Sequence, residues 1–147
     1  MSDMQYDVII IGSGPGGYVA AIRGAQLGLK MAAVEQSYLG GSCQNWGCIP
    51  TKALLRSAEI YHYLTHAKDC GLSAKDVAFD AGAIVKRSRG IADQMSKGVG
   101  FLLKKNKVDV IWGKAIVTAP GKISVKTADN PPKGALGSGD YSAKHVI

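Results

Sequence analysis

Residues 6–17 read Tyr6-Asp7-Val8-Ile9-Ile10-Ile11-Gly12-Ser13-Gly14-Pro15-Gly16-Gly17, and the fold class turns on this stretch. Residues 6–11 form a short apolar run of valine and isoleucine that fits a buried strand, the glycines that follow fit a turn, and a helical pattern continues through Leu27. Gly12 allows the tight turn, Gly14 lets the backbone approach a diphosphate, and Gly17 lets the helix pack close to the strand, with the anion on the helix N-terminus. Ala21 and Gly28 keep the packed face small. A second strand, residues 30–34, ends at Glu35, close to the spacing expected of a carboxylate that takes ribose hydroxyls. A carboxylate there argues against a 2′-phosphate.

Downstream lies Gly40-Gly41-Ser42-Cys43-Gln44-Asn45-Trp46-Gly47-Cys48-Ile49-Pro50-Thr51-Lys52. Cys48 opens a predicted helix, where unpaired backbone N–H groups favour thiolate over thiol and make the sulfur reactive. Cys43 reaches disulfide distance through a tight local loop, and Gly40, Gly41 and Gly47 supply the backbone freedom for it. This reads as a switchable pair. The glycine turn and Glu35 do not distinguish NAD from FAD, but the cysteines do. A dithiol has no task beside a nicotinamide in a simple dehydrogenase, whereas a flavin accepts electrons from thiolates readily.

The order of glycine turn, terminal Glu35 and cysteine segment resembles the flavoprotein disulfide reductases, and among them the branch acting on lipoamide. The likeness covers nearly the whole chain, including Gly14-Pro15-Gly16-Gly17-Tyr18-Val19-Ala20-Ala21 and Ala25-Gln26-Leu27-Gly28-Leu29-Lys30. Ser42 stands where the family usually has threonine, which keeps the hydroxyl, and Gln44 and Trp46 stand where leucine and valine are commoner.

The resemblance implies an α/β fold: a Rossmann-like FAD-binding domain with a central parallel sheet and a small antiparallel excursion. It implies a bound FAD, with NAD as co-substrate, and oxidation of dihydrolipoamide to lipoamide with formation of NADH; glutathione-type and mercuric-type reductases are the nearest alternatives. Cys43 is then the outer sulfur that exchanges with the dithiol, and Cys48 the sulfur against the flavin. Lys52, one helical turn after Cys48, brings positive charge near the flavin. The cofactor-binding set is Gly12, Gly14, Pro15, Gly17, Glu35, Gln36, Gly41, Ser42, Cys43, Lys52 and Ala115. In it Ser42 donates to the diphosphate, and Ala115, within Gly113-Lys114-Ala115, meets the adenine end. The implied partners are a lipoyl-bearing protein of a 2-oxo acid dehydrogenase complex and a second identical subunit. The catalytic base in the family is a histidine near the far C-terminus, so none of His62, His66 and His145 is expected to serve.

At 147 residues the chain suffices for one modest core. It is expected to be the N-terminal part of the FAD domain, with NAD and dimer-interface domains outside it and no turnover alone. Residues 141–147 read as a strand that stops without a turn. Residues 1–5 are short and polar, so no targeting or membrane segment is expected, and a cytoplasmic location follows, or the mitochondrial matrix in a eukaryote. Three cysteines are too few for a disulfide-stapled secreted scaffold; Cys70 reads as an ordinary small thiol.

Elsewhere, residues 51–68 carry Leu54, Leu55, Ala58, Tyr61 and Leu64 as an apolar helical stripe, with Pro50 in the first turn. Asp80 is the expected N-cap of a long helix with Ile84, Ile91, Met95, Val99, Leu102 and Leu103 on one face. Residues 108–112, 115–118 and 122–126 read as three short strands, and 128–140 as a loop. The net charge of +7 raises nucleic-acid binding as a possibility, but Lys86, Arg87, Arg89, Lys97, Lys104, Lys105 and Lys107 interleave with apolar positions as a solvated helix face does. A rival reading groups Cys43, Cys48, His62 and His66 as a two-cysteine, two-histidine zinc finger. Immediate helix after Pro50 and a nucleotide fingerprint left without a role weigh against it.

Overall fold

The computed structural model describes residues 5–147; Met1–Met4, most of the polar lead read above, lie outside the described residues. The glycine turn separates β1 (Gln5–Ile11) from α1 (Pro15–Gln26), and β2 (Met31–Glu35) runs parallel to β1, with Val8 opposite Met31 and Ile11 opposite Val34. Two helices follow around the cysteines, α2 (Gly41–Asn45) and α3 (Cys48–Thr65), then a 3-10 turn at Ala67–Cys70 and the long α4 (Ala81–Lys105). Asp80 caps α4, its carboxylate accepting from the Ala83 N–H at 3.0 Å. The chain finishes with β3 (Asp109–Ala119), β4 (Lys122–Thr127) and β5 (Gly139–Val146).

Among the described residues the five strands close into one ring in sequence order, so the Rossmann-like central parallel sheet with a small antiparallel excursion expected from sequence is corrected to a closed barrel. Two strands are each shared between neighbours of opposite sense. The first part of β3 pairs parallel with β2, Ala32 opposite Asp109 and Glu35 opposite Trp112; from Gly113 onward it pairs antiparallel with β4. The first part of β5 pairs antiparallel with β4, and the remainder pairs parallel with β1 from Gln5–Ser142 to Ile9–Val146. The sequence reading broke β3 into two strands at Gly113-Lys114. That glycine instead lies directly against β4, within a continuous strand. A Cβ on Gly113 would stand 2.2 Å from the Lys126 carbonyl oxygen, so a missing side chain that reads as a break allows the ring to close.

The ring encloses one apolar cluster that includes Tyr6, Ile9, Ala32, Val34, Ile111, Ile123 and Val125. A second lies between the parallel strands and α1 and α4: Val8, Ile10, Ala21, Met31, Ala33, Val99 and Leu103. β2 alternates between them and is buried along its whole length, as a parallel strand covered on both faces should be. α3 behaves differently. Only Pro50 and Ala53 of this helix are buried, and the expected stripe residues Leu54, Leu55, Tyr61 and Leu64 are exposed. The helix is anchored by its first turns.

Tyr6 ties two strands together, its hydroxyl donating to Asp109 Oδ2 at 2.9 Å. Burial, and then this carboxylate, push the phenol well above its usual range, and burial also raises Tyr141. The folded state therefore holds the Tyr6 proton more tightly than the unfolded chain. Its contribution is complete below about pH 10, the unfolded value, and is lost as pH rises toward the folded one. Tyr6→Phe should cost about 1 kcal/mol at pH 7 by losing the hydrogen bond. In urea unfolding it should lose less stability than the wild type above about pH 10; an unchanged alkaline slope would exclude Tyr6 as its source.

Candidate redox and dinucleotide site

Gly12, at φ +105°, turns the chain at the end of β1, and its N–H donates to the Val34 carbonyl at 2.8 Å. Gly14 is the N-cap of α1 and Pro15 opens the helix; no side chain caps this end and no acidic residue occupies its first turn. A Cβ on Gly17 would lie 2.0 Å from the Gly12 carbonyl oxygen, so the helix rests directly on the turn. Cβ atoms on Gly12, Gly14 or Gly16 would meet nothing within 4 Å, which leaves this backbone facing open space. Gly12 and Gly14 border a cavity of about 420 Å³, which draws together the predicted residues Gly12, Gly14, Glu35, Gln36, Gly41, Ser42 and Ala115, with Ser13 and Lys114 beside them. Pro15 and Gly17 stand behind this wall in the first turn of α1.

Sequence reasoning missed Ser13. It is fully buried, and its N–H and hydroxyl both donate to Glu35 Oε2, at 3.1 and 2.5 Å. The Ser37 N–H donates to Oε1 at 2.9 Å. A carboxylate has about four acceptor positions, so Glu35 is held rigidly with one remaining on Oε1. An uncapped helix start, bare glycine backbone at Gly12 and Gly14 and a fixed carboxylate, all on one cavity, suit a diphosphate-bearing nucleotide with a ribose to be gripped.

The cysteine segment abuts the glycine turn. Gly41 has φ +61°, and a Cβ there would be 2.9 Å from Gly14 Cα, while the Gly40 N–H donates to the Ser13 carbonyl at 3.0 Å. From this contact α2 carries Ser42 toward the cavity and Cys43 behind it. Cys43 and Cys48 are disulfide-bonded with Cα atoms 4.8 Å apart, within the ordinary range for such a bridge. Cys48 is the first residue of α3, whose N-cap Gly47 offers no side-chain hydrogen bond. Its sulfur therefore sits at the positive end of an 18-residue helix. Cys43 is half-buried, Cys48 exposed, and Lys52 is exposed on the same helix, outside the residues that line the cavity.

The loop has two more supports that the sequence did not reveal. Asn45, buried, donates through Nδ2 to the Leu39 and Gly41 carbonyls at 3.0 and 2.9 Å. Three consecutive residues of α4 also reach across: Arg87 donates to the Ala53 carbonyl at 3.0 Å, Ser88 to Pro50 at 3.2 Å and Arg89 to Asn45 at 2.6 Å. Arg89, read from sequence as part of a solvated face, is half-buried against this loop.

The zinc-finger grouping does not assemble. Both of its cysteines are spent on each other, while the rings of His62 and His66 stack at 4.1 Å far along α3. Among the described residues no group of three or more His, Cys, Asp or Glu could hold a metal. Cys70 is an exposed free thiol. No helix among the described residues is long and apolar enough to cross a membrane.

Residues 6–147 match the family model described as pyridine nucleotide-disulphide oxidoreductase, and the chain belongs to this family of oxidoreductases. Among its curated relatives, the dihydrolipoyl dehydrogenase of Rhizobium etli is 57% identical over 97% of this chain and 32% of that protein. That of Zymomonas mobilis is 52% identical over 88% of this chain and 28% of its own length, and that of Mycobacterium tuberculosis 57% identical over 74% and 24%. The chain thus spans about a quarter to a third of the length of these curated relatives.

The contact of α1 with the turn is testable. Gly17→Ala must force helix and turn apart, and should lower unfolding stability by about 3 kcal/mol, the upper range for overpacking. An unchanged urea midpoint would mean that the close contact with Gly12 does not exist.

Proposed function

We propose that this chain is the FAD-binding, disulfide-bearing part of an enzyme that oxidises dihydrolipoamide with NAD⁺, and that the nicotinamide and subunit-interface domains lie outside these residues. One observation carries the reading: the Cys43–Cys48 disulfide opens α3 directly beside a glycine-walled cavity with an anchored carboxylate. The relatives named dihydrolipoyl dehydrogenase support the choice of substrate.

In this reading the backbone at Gly12, Gly14 and Pro15 cradles the diphosphate, and the Ser42 hydroxyl donates to it. Glu35 accepts from a ribose hydroxyl through its remaining position, and Gln36, Gly41 and Ala115 complete the wall along the nucleotide. FAD, when bound, supplies a two-electron acceptor next to the sulfurs. Cys43 takes the substrate: one thiolate of the dithiol attacks its Sγ, the Cys43–Cys48 bond breaks, and Cys48 leaves as a thiolate stabilised by the start of α3. The second substrate thiolate then attacks the substrate sulfur of this mixed disulfide and expels Cys43 as a thiolate. The substrate departs as a cyclic disulfide, and the cysteine pair keeps its two electrons. Lys52 supplies positive charge that favours the anionic state of the reduced site. The lipoyl group arrives on a protein of a 2-oxo acid dehydrogenase complex, and a second identical subunit donates the histidine base.

Thiol counting tests the chemistry directly, because Cys70 gives a constant signal of one. The oxidised chain should show one reactive thiol and, after dihydrolipoamide, three, with one lipoamide formed per chain. Cys43→Ser and Cys48→Ser should each show two thiols with or without the dithiol, and form no lipoamide. Three thiols in the oxidised protein would remove the disulfide, and a pair left unreduced by dihydrolipoamide would remove the substrate.

A further inference from the structure

Four residues, Gln44 to Gly47, span the gap between the two cysteines, and two of them are gripped by one side chain of another helix. Arg89 of α4 donates through Nη2 to the Asn45 carbonyl at 2.6 Å, and its guanidinium lies over the Trp46 indole, 4.5 Å from the ring centroid. Both contacts use features that lysine lacks: a planar fork that can donate along one edge while its face stacks on an aromatic ring. Tyr38 meets the same indole edge-on at 5.7 Å. Trp46 is still 62% exposed, so burial in a core does not account for its placement.

We propose that Arg89, acting through Asn45 and Trp46, is a positioning residue that holds the cysteine loop closed and thereby favours the disulfide over the dithiol. The inference rests on the redox role given to Cys43 and Cys48. The guanidinium and the sulfur–sulfur bond select the same compact loop. By linkage, whatever Arg89 contributes more strongly to the closed loop than to the open one is returned as a stronger tendency to form the bond. When the bond is reduced, the loop loses its covalent closure. The reduced loop can then open, so the contacts of Arg89 with Asn45 and Trp46 are made in only part of the reduced population, and in that part Cys48 stays within reach of a mixed disulfide on Cys43. Neighbouring Ser88 and Arg87 hold the Pro50 and Ala53 carbonyls, so α4 fixes the start of α3 while Arg89 fixes the loop before it.

The test is the equilibrium of the full chain with dithiothreitol. Each Cys sulfur gains one electron and one proton from the reagent, whose two thiols close into a ring disulfide. Reduced and oxidised chains are separated after acid quenching and alkylation. Arg89→Gln keeps a planar amide but loses the charge and the fork; the fraction oxidised should fall so that the equilibrium constant drops about tenfold, equivalent to ~30 mV. Trp46→Leu should shift it in the same direction, and Trp46→Phe, which restores a ring face, should stay within about threefold of the wild type. A purely structural Arg89 would weaken both redox forms alike and leave the constant unmoved. A folded Arg89→Gln chain within about twofold of the wild type therefore overturns the proposal; if that variant fails to fold, an unshifted Trp46→Leu does so. A wild-type chain that never forms the disulfide defeats the redox reading itself, before any variant is compared.

Discussion

Backbone lying on backbone at the glycine turn is the contact on which the site depends. Two neighbours press on the segment from Gly12 to Gly14, α1 through Gly17 and α2 through Gly41, each at a distance where a Cβ would enter the turn's own atoms. The first approach brings the uncapped end of α1 to the cavity, and the second brings the cysteine segment to the same place. Each is a steric permission rather than an attraction. The attraction comes from the apolar cluster that β1, β2, α1 and α4 bury together, which pulls the elements inward until only glycine fits between them.

The local signals were legible in sequence because they depend on few neighbours. A valine and isoleucine run followed by spaced glycines, a helix begun at Pro15, an Asp80 cap and Cys48 at a helix start are all satisfied within a handful of residues. Ring closure was not legible. It requires β5 to meet β1 across more than a hundred residues and requires β3 to change partner midway, and no periodicity within either strand records which neighbours it will have. Gly113 was misread for the same reason: in sequence it interrupts an apolar run, whereas in space it yields room to Lys126 and Val125.

The candidate site divides along the same line. Residues whose role follows from backbone shape, such as Gly12, Gly14 and Gly41, or from chemistry at a fixed spacing, such as Glu35, Cys43 and Cys48, meet around one cavity or adjoin it. The side chains that hold them escaped notice because each belongs to a common residue type with an ordinary alternative. Ser13 passes for turn filler, yet it is buried and donates twice to Glu35. Arg89 passes for one cation among many on a basic helix. Its half-buried position, next to a carbonyl and an indole from the cysteine loop, separates it from Lys86 and Lys97, which are both exposed.

α3 shows why such supports matter. The start of α3 is open, with Cys48 and Lys52 exposed, so burial of its own surface does little to secure it. Pro50 and Ala53 are the buried residues of its 18; carbonyl groups of its first turns accept hydrogen bonds from α4, and farther along the Tyr61 ring meets Phe79 edge-on. Such bonds constrain position without covering the sulfurs, as an apolar contact of equal strength would. Exposure and support thus come from different sides of one segment: one side carries the exposed Cys48 and Lys52, and the side toward α4 carries the carbonyls that fix where they stand.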